Sequence, residues 1–206
     1  LKKYNGKIGL HLNWTENKPT IKELKTKFYN QGCFQGYKKI LTSYIFGKLN
    51  YDDLYKEAEN QLRMLKKISP KIDHIDGHQH IHMLPILWRV VNDLASKYKI
   101  PRVRRPIEKI YWDDQFTLIL KKIIFYFLSF FNKKYNNLRY FNFFGHSLQN
   151  SKNYKKTITC KLKENNKNSE IMIHVSKKKD FIKKEKIKFG RLREYLIIKQ
   201  LNYTLK

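Results

Sequence analysis

The stretch His74-Ile-Asp-Gly-His-Gln-His-Ile-His82 decides the fold, and it holds four of the chain's seven histidines. Apolar Ile75 lies within it, and Met83-Leu84-Pro85 follows. The pattern predicts a short buried strand that ends in a loop, with a helix beginning near Pro85, because proline suits the first helical turn. We expect Gly77 to permit a sharp turn where the strand ends.

The histidines of this stretch are candidates for metal or proton chemistry. Neutral imidazole is a common ligand of divalent metals, and its pKa lets it move protons near neutral pH. In an extended segment, residues two apart share a face, so His78, His80 and His82 are expected to point one way, and His74 and Asp76 also share a face. The spacing matches no standard zinc-finger pattern and does not say which histidine binds metal. A polar strand end whose histidines each bond to backbone is the structural alternative.

The composition indicates a folded domain whose basic character is general. The chain has 206 residues, of which 41% are apolar and 15% aromatic, enough for one domain with a core. Its net charge of +27 by itself suggests a nucleic-acid-binding protein. However, the lysines are spread along the whole sequence, and no standard nucleic-acid-binding motif accompanies them. We therefore expect no nucleic-acid partner.

Two further features bear on the compartment. Cys33 and Cys160 are far apart and form no CxxC pair, so a reducing, cytoplasmic location is expected. No uninterrupted apolar run is long enough to span a bilayer, and we expect no membrane partner. Residues 116–131 are very apolar and could lie on a membrane surface, but a helix packed in a core is the favoured interpretation. Homo-oligomerisation is left open.

Strands and helices are predicted to alternate along the chain. The predicted strands cover residues 7–12, 72–77, 101–106, 140–145 and 170–175; the predicted helices cover residues 53–68, 84–98, 116–131, 151–164 and 191–201. Asp52 is the expected N-cap of the first helix. This order predicts parallel strands in an α/β protein. Chemically interesting residues follow the strand ends, where α/β barrels place active sites. Five strands are too few to close a barrel, so we expect a leading strand or two to be missing.

Four motifs resemble those of the YdjC-like carbohydrate deacetylases, the family that includes chitooligosaccharide deacetylase. Ile8-Gly-Leu-His-Leu-Asn13, continued by Thr15-Glu16, is similar to the first histidine motif. Residues 74–85 resemble the central motif over its full length. Arg104-Arg-Pro-Ile-Glu108 and Ser169-Glu-Ile-Met-Ile-His174 resemble two later segments. The motifs are in the family's order and span nearly the whole chain.

The resemblance implies a TIM-barrel-like fold, here incomplete at the N-terminus, in one domain over residues 1–206. It implies one divalent cation, Mg²⁺ in the family although two imidazoles also suit Zn²⁺, and hydrolysis of N-acetyl groups on amino sugars. By position it assigns metal binding to His11 and His78, acid catalysis to His174, substrate binding to Arg104, and the orientation of His78 to Asp76, His80 and His82. For Arg104, a salt bridge to Glu108 or to another carboxylate is an equally good interpretation.

The chain departs from the family pattern in two places. The family's third ligand lies in an Asp-Asp-Phe-Gly motif on the first strand, which this sequence lacks; Asp113-Asp114 precedes Gln-Phe and comes too late. Val175-Ser176 replaces the usual Pro-Gly. Together with the start at Leu1, the first departure suggests an N-terminal truncation. Two alternatives to the deacetylase stay open: a catalytically degenerate sugar- or partner-binding relative, and a metal-dependent hydrolase of another bond such as a phosphate ester.

Overall fold

A computed structural model of the chain describes residues 7–21, 29–30, 32–111, 115–150, 154–163 and 169–174. The chain divides into two compact units. The first comprises Leu1–Arg105 and Ile124–Tyr140, and the second comprises Pro106–Ile123 and Phe141–Lys206. The loop and the helix predicted for residues 177–188 and 191–201 lie outside the described residues.

A parallel sheet forms the centre of the first unit. In chain order the elements up to the end of the sheet are β1 (Gly9–Leu12), β2 (Tyr29–Asn30), β3 (Cys33–Phe34), α1 (Gly36–Ile45), α2 (Tyr51–Ile68), β4 (His74–Gly77), a 3₁₀ segment (His78–Met83), α3 (Pro85–Lys97) and β5 (Arg102–Val103). Among the described residues, three strands pair in the order β1-β4-β5, all parallel, and β2 pairs with β3 in an antiparallel hairpin. The register of β1 on β4 sets His11 beside Asp76. The sequence prediction of alternating helices and parallel strands is confirmed.

Helix α2 shows the predicted period, with Leu54, Ala58 and Leu62 buried. The sequence predicted Asp52 as its N-cap, and this was wrong, because the N-cap in the structure is Asn50. Asn50 has extended backbone, and its side chain accepts a hydrogen bond from the Asp53 amide at 3.0 Å. Asp52 already lies inside the first helical turn, where a carboxylate favours the helix through the dipole and not as a cap.

Helix α3 begins at Pro85, as the sequence predicts, and proline occupies its first turn. It ends at Lys97, before the proline at position 101 that was expected to stop it. Lys99 adopts a left-handed conformation with φ of 53°, which reverses the chain directly after the helix. The buried side chains of α3 include Leu87, Val91 and Leu94.

Helix α4 (Phe116–Phe131) has the predicted bounds but not the predicted burial. Only a narrow stripe at helical spacing is buried: Leu118, Lys122 and Phe125. Within the part of the chain that is described, the exposed large apolar side chains of α4 are Phe116, Leu120, Ile123, Ile124, Tyr126, Phe127, Phe130 and Phe131. The expectation of a core helix was therefore wrong for most of its surface. Even its buried stripe contains a lysine.

The second unit is built on another pair of parallel strands. After α4 come β6 (Asn142–Phe144), α5 (His146–Asn150), α6 (Tyr154–Lys163) and β7 (Ser169–Ile171), with β6 parallel to β7. Its core includes Phe144, Leu148, Tyr154 and Ile158. In this unit, the buried Lys122 ammonium donates hydrogen bonds of 2.6 Å to the Lys109 carbonyl and to Ser147 Oγ.

The architecture is thus mixed α/β with parallel sheets. The described strands form separate sheets, and barrel closure stays a prediction. Among the helices that the structure describes, none combines the length and the apolarity that crossing a bilayer requires.

Candidate metal centre

Two histidine rings meet at the carboxyl end of the first unit's parallel sheet. His11 lies near the end of β1, and His78 directly follows β4. His11 Nε2 lies 3.2 Å from His78 Nδ1, and the rings are almost perpendicular, at 87°. The parallel register brings the residues together because it pairs His11 with Asp76, two positions before His78.

Asp76 holds the other side of the His11 ring. Its Oδ1 lies 2.7 Å from His11 Nδ1. A carboxylate only accepts hydrogen bonds, so Nδ1 carries the proton and Nε2 presents its lone pair towards His78. The sequence interpretation gave Asp76 the task of orienting His78, whereas the ring it contacts in the structure is that of His11.

Arg104 contacts the second oxygen of the same carboxylate. It follows β5, its side chain is 12% exposed, and its guanidinium pairs with Asp76 Oδ2. The structure contains the predicted salt bridge of Arg104 to a carboxylate, that of Asp76, and substrate binding by Arg104 stays a prediction. Burial raises the pKa of Asp76, but the hydrogen bond from His11 and the charge of Arg104 outweigh it, so the pKa lies below its usual value. Asp76 is therefore ionised at neutral pH.

The turn after β4 differs from the extended segment that the sequence suggested. Gln79 and His80 both adopt left-handed backbone, with φ of 54° and 56°. His78, His80 and His82 therefore do not share a strand face. Gly77 itself has extended backbone, so it does not make the turn; a Cβ at this position would lie 2.6 Å from His82 Nδ1. Glycine is needed there because the His82 ring packs against it.

His80 and His82 contact other groups than His78. The His80 ring meets Phe125 edge-on, with centroids 6.0 Å apart. His82 is fully buried, stacks on Trp88, and donates from Nε2 to the Arg104 carbonyl at 2.9 Å. Their role in orienting His78 stays a prediction; through its hydrogen bond to the Arg104 carbonyl, His82 supports the segment that carries Arg104.

The burial of His82 predicts a loss of stability in acid. Burial lowers the pKa of His82 to about 4. Below pH ~6.5 the His82 imidazole of the unfolded chain is protonated, whereas that of the folded chain stays neutral until the pH falls to about 4. The free energy of unfolding therefore falls by about 3 kcal/mol between these two pH values. Urea unfolding at pH 7 and at pH 4 measures the fall in the free energy of unfolding between these pH values. We expect this fall to be about 3 kcal/mol smaller in His82→Gln than in the parent chain. An equal loss in both proteins would contradict the assignment.

Glu108 and His174 lie in the second unit. The Glu108 carboxylate is buried and accepts the His146 amide at 2.9 Å and the Ser147 amide at 3.3 Å, and burial raises its pKa. His174 is exposed and comes three residues after β7 ends. Its role as an acid stays a prediction.

The sequence interpretation gave no role to Glu16 or Gln79. Glu16 Oε1 lies 3.2 Å from His78 Nε2 and accepts a hydrogen bond of 3.2 Å from Gln79 Nε2. The available signal was the position of Glu16, five residues after His11 in a motif that includes both.

The facing nitrogens of His11 and His78 suit two positions around one cation. Nitrogens that each lie about 2.1 Å from a metal at 90–110° to one another are separated by roughly 3.0–3.4 Å. The observed separation is 3.2 Å. Within the described ranges, no group of three or more His, Cys, Asp or Glu side chains is placed to hold a metal ion. The residues present thus fit as part of a ligand set.

Comparison with known sequences and structures decides the family. Residues 1–203 match the sequence model of the YdjC-like protein family. The chain belongs to the YdjC-like family. The resemblance drawn from its four motifs is confirmed.

Similar proteins include curated carbohydrate deacetylases. The enzyme of Danio rerio is 35% identical over 113 residues, which cover 52% of this chain and 35% of that protein. The enzyme of Clostridium beijerinckii is 33% identical over 103 residues, which cover 49% of this chain and 40% of that protein. The matched stretch therefore spans well under half the length of these relatives.

The fold of this YdjC-like chain also occurs in a solved structure. A crystal structure of an Enterococcus faecalis protein, provisionally named a cellobiose-phosphate cleavage protein, matches 93% of this chain and 69% of that one. The TM-score is 0.65 and the sequence identity is 22%. The likeness concerns the fold.

Proposed function

We propose that this YdjC-like protein is a metal-dependent carbohydrate deacetylase that removes N-acetyl groups from amino sugars. The observation that carries the proposal is the pair of imidazole nitrogens, His11 Nε2 and His78 Nδ1, that face each other at 3.2 Å. The names of the curated relatives support the reaction class.

The contacts of Asp76 orient the His11 ring so that its facing nitrogen can bind a cation. The ionised Asp76 carboxylate accepts a hydrogen bond from His11 Nδ1, and this makes His11 Nε2 a stronger metal ligand. Arg104 neutralises the other carboxylate oxygen and fixes its direction. A bound divalent cation would polarise the acetyl carbonyl and acidify a water molecule. Mg²⁺ is the metal that the family resemblance implies, and Zn²⁺ suits imidazole ligands.

The remaining roles come from the family resemblance. We assign to His174 the transfer of a proton to the departing sugar amine, which imidazole performs well near neutral pH. The carboxylate that accepts the proton of water would belong to the family's Asp-Asp-Phe-Gly motif, which is not among these 206 residues. The proposed activity is that of a protein in which this motif completes the site. Chitooligosaccharides are the substrates that the resemblance favours.

Acetate release from N,N′-diacetylchitobiose tests the proposal. The assay uses this chain and, where the reading frame continues upstream, the longer product, each with Mg²⁺, with Zn²⁺ and with EDTA. We expect release that needs the metal and that EDTA stops, because the amide carbonyl requires polarisation. A phosphodiester in parallel separates this reaction from hydrolysis of another bond.

Two outcomes would contradict the proposal. Cleavage of the phosphodiester without acetate release would move the protein to another class of metal-dependent hydrolase. Binding of the disaccharide without release, in a product that carries the Asp pair, would support a degenerate sugar-binding relative.

A further inference from the structure

Glu16 stands on the outer side of the His78 ring, where Asp76 stands on the outer side of His11. Glu16 Oε1 lies 3.2 Å from His78 Nε2, the nitrogen that faces away from His11. Asp76 Oδ1 likewise contacts His11 Nδ1, the nitrogen that faces away from His78. Each imidazole of the pair thus has a carboxylate behind it.

The loop after β1 is built to hold Glu16 in this place. The Asn13 side-chain oxygen accepts the amides of Thr15 and Glu16 at 3.0 and 3.1 Å, and its amide group donates to the Glu16 carbonyl at 2.8 Å. The Gln61 side chain of α2 makes two hydrogen bonds to the backbone of Asn13. Its oxygen accepts from the Asn13 amide at 3.0 Å, and its nitrogen donates to the Asn13 carbonyl at 2.6 Å. The backbone at Glu16 is therefore held by α2 as well as by the turn.

The far end of the same loop is fixed too. The carboxylate of Glu57 is fully buried and accepts the Thr20 and Ile21 amides at 3.0 and 3.1 Å, as well as the Thr20 hydroxyl at 3.1 Å. A buried carboxylate with several donors is a strong anchor. The loop that carries Glu16 is thus tied to α2 at both ends.

Gln79 holds Glu16 from the other side. Its amide donates to Glu16 Oε1 at 3.2 Å, and its backbone has a left-handed φ of 54°. Such a conformation in a residue other than glycine costs about 1 kcal/mol or more. Strain of this kind persists where the surroundings impose it, and here it points the side chain at Glu16.

We propose that Glu16 is the positioning residue of His78: it accepts a hydrogen bond from Nε2–H, so that Nδ1 presents its lone pair to a cation shared with His11. This inference rests on the proposed function. Because His11 Nε2 is an acceptor, the 3.2 Å contact in the metal-free structure is a hydrogen bond that His78 Nδ1 donates. A cation between the rings replaces that proton, and His78 then carries its proton on Nε2, the nitrogen that lies 3.2 Å from Glu16 Oε1. The Glu16–His78 contact has ion-pair distance without hydrogen-bond alignment, so a rotation of the half-exposed Glu16 carboxylate completes it.

Metal affinity and ring tautomer test the proposal in the natural protein. Isothermal titration with Zn²⁺ should show a 10–100-fold weaker affinity for Glu16→Ala, the usual effect of losing a group that orients a metal-binding histidine. Glu16→Asp should recover part of it. Asp52→Asn, which removes an exposed carboxylate in the first turn of α2, is the matched control and should stay within twofold of the parent.

Nitrogen-15 NMR of the metal-free protein gives a second readout that needs no metal. We expect a detectable fraction of His78 to carry its proton on Nε2 in the parent, in competition with the Nδ1–H tautomer that bonds His11, and we expect that fraction to fall in Glu16→Ala. Unchanged affinity and tautomer in Glu16→Ala, with His78→Ala losing metal, would overturn the role of Glu16 alone. Full affinity in His78→Ala would overturn the metal pair and, with it, this inference.

Discussion

Replacing His78 with alanine is expected to lower the affinity for Zn²⁺ or Mn²⁺ by more than about 100-fold, beyond the usual effect of losing a group that only orients a ligand. His78 Nδ1 is one of the two nitrogens that face each other, and removing it leaves His11 alone in the described part of the site. Isothermal titration measures the change directly, and acetate release should fall with it.

His74→Gln is the matched control for this experiment. It removes an imidazole from the same segment, at the start of β4, where the His74 ring lies 3.5 Å from Asp73 Oδ2 and not beside His11. Its metal affinity is expected to match that of the parent. Equal losses in His74→Gln and His78→Ala would show that the segment had unfolded, and equal retention would refute the ligand assignment.

Replacing Asp76 with asparagine is expected to lower the free energy of unfolding by about 3–5 kcal/mol, the usual loss when one member of a buried ion pair is removed. The Asp76 side chain is 7% exposed and the Arg104 side chain 12%, so the guanidinium would keep its charge without its carboxylate. The hydrogen bond to His11 would also change, because an amide can present a donor to Nδ1. Denaturant unfolding at neutral pH measures the loss.

The neighbouring pair on the same strands supplies the control. Arg102 pairs with Asp73, and both side chains are about one-fifth exposed. Asp73→Asn should therefore cost less than Asp76→Asn, because more of this pair stays in contact with water. The double variant Asp76→Asn/Arg104→Met should be less destabilised than the sum of its single changes, because the uncompensated charge is gone. Simple additivity would contradict a direct Asp76–Arg104 pair.

The elements and the meeting of the strand ends could be predicted from the sequence. Apolar periodicity defines α2 and α4, and Pro85 marks the start of α3. Alternating strands and helices imply parallel pairing, and parallel strands bring their carboxyl ends to one edge. His11 and His78 were therefore expected to approach each other, as they do in the structure.

The turn after β4 could not be predicted from the same pattern. A period of two assumes extended backbone, whereas Gln79 and His80 take left-handed conformations that tertiary contacts impose. For this reason the spacing of the histidines assigned His80 and His82 to the wrong face. The need for Gly77 likewise arises from the approach of His82, a contact that has no local sequence signal.

The sequence also could not predict which side chains of the site pair with one another. Asp76 could orient either histidine, and only the register of β1 on β4 assigns it to His11. Arg104 could pair with any nearby carboxylate. Glu16 became a site residue because α2 and Gln79 fix its loop, which are contacts between segments far apart in the chain.

Anomalous diffraction from crystals of the natural protein grown with Zn²⁺ tests the central claim most directly. The account predicts one peak about 2.1 Å from both His11 Nε2 and His78 Nδ1. A peak bound to neither nitrogen, or at His11 Nδ1 in place of the Asp76 hydrogen bond, would contradict it.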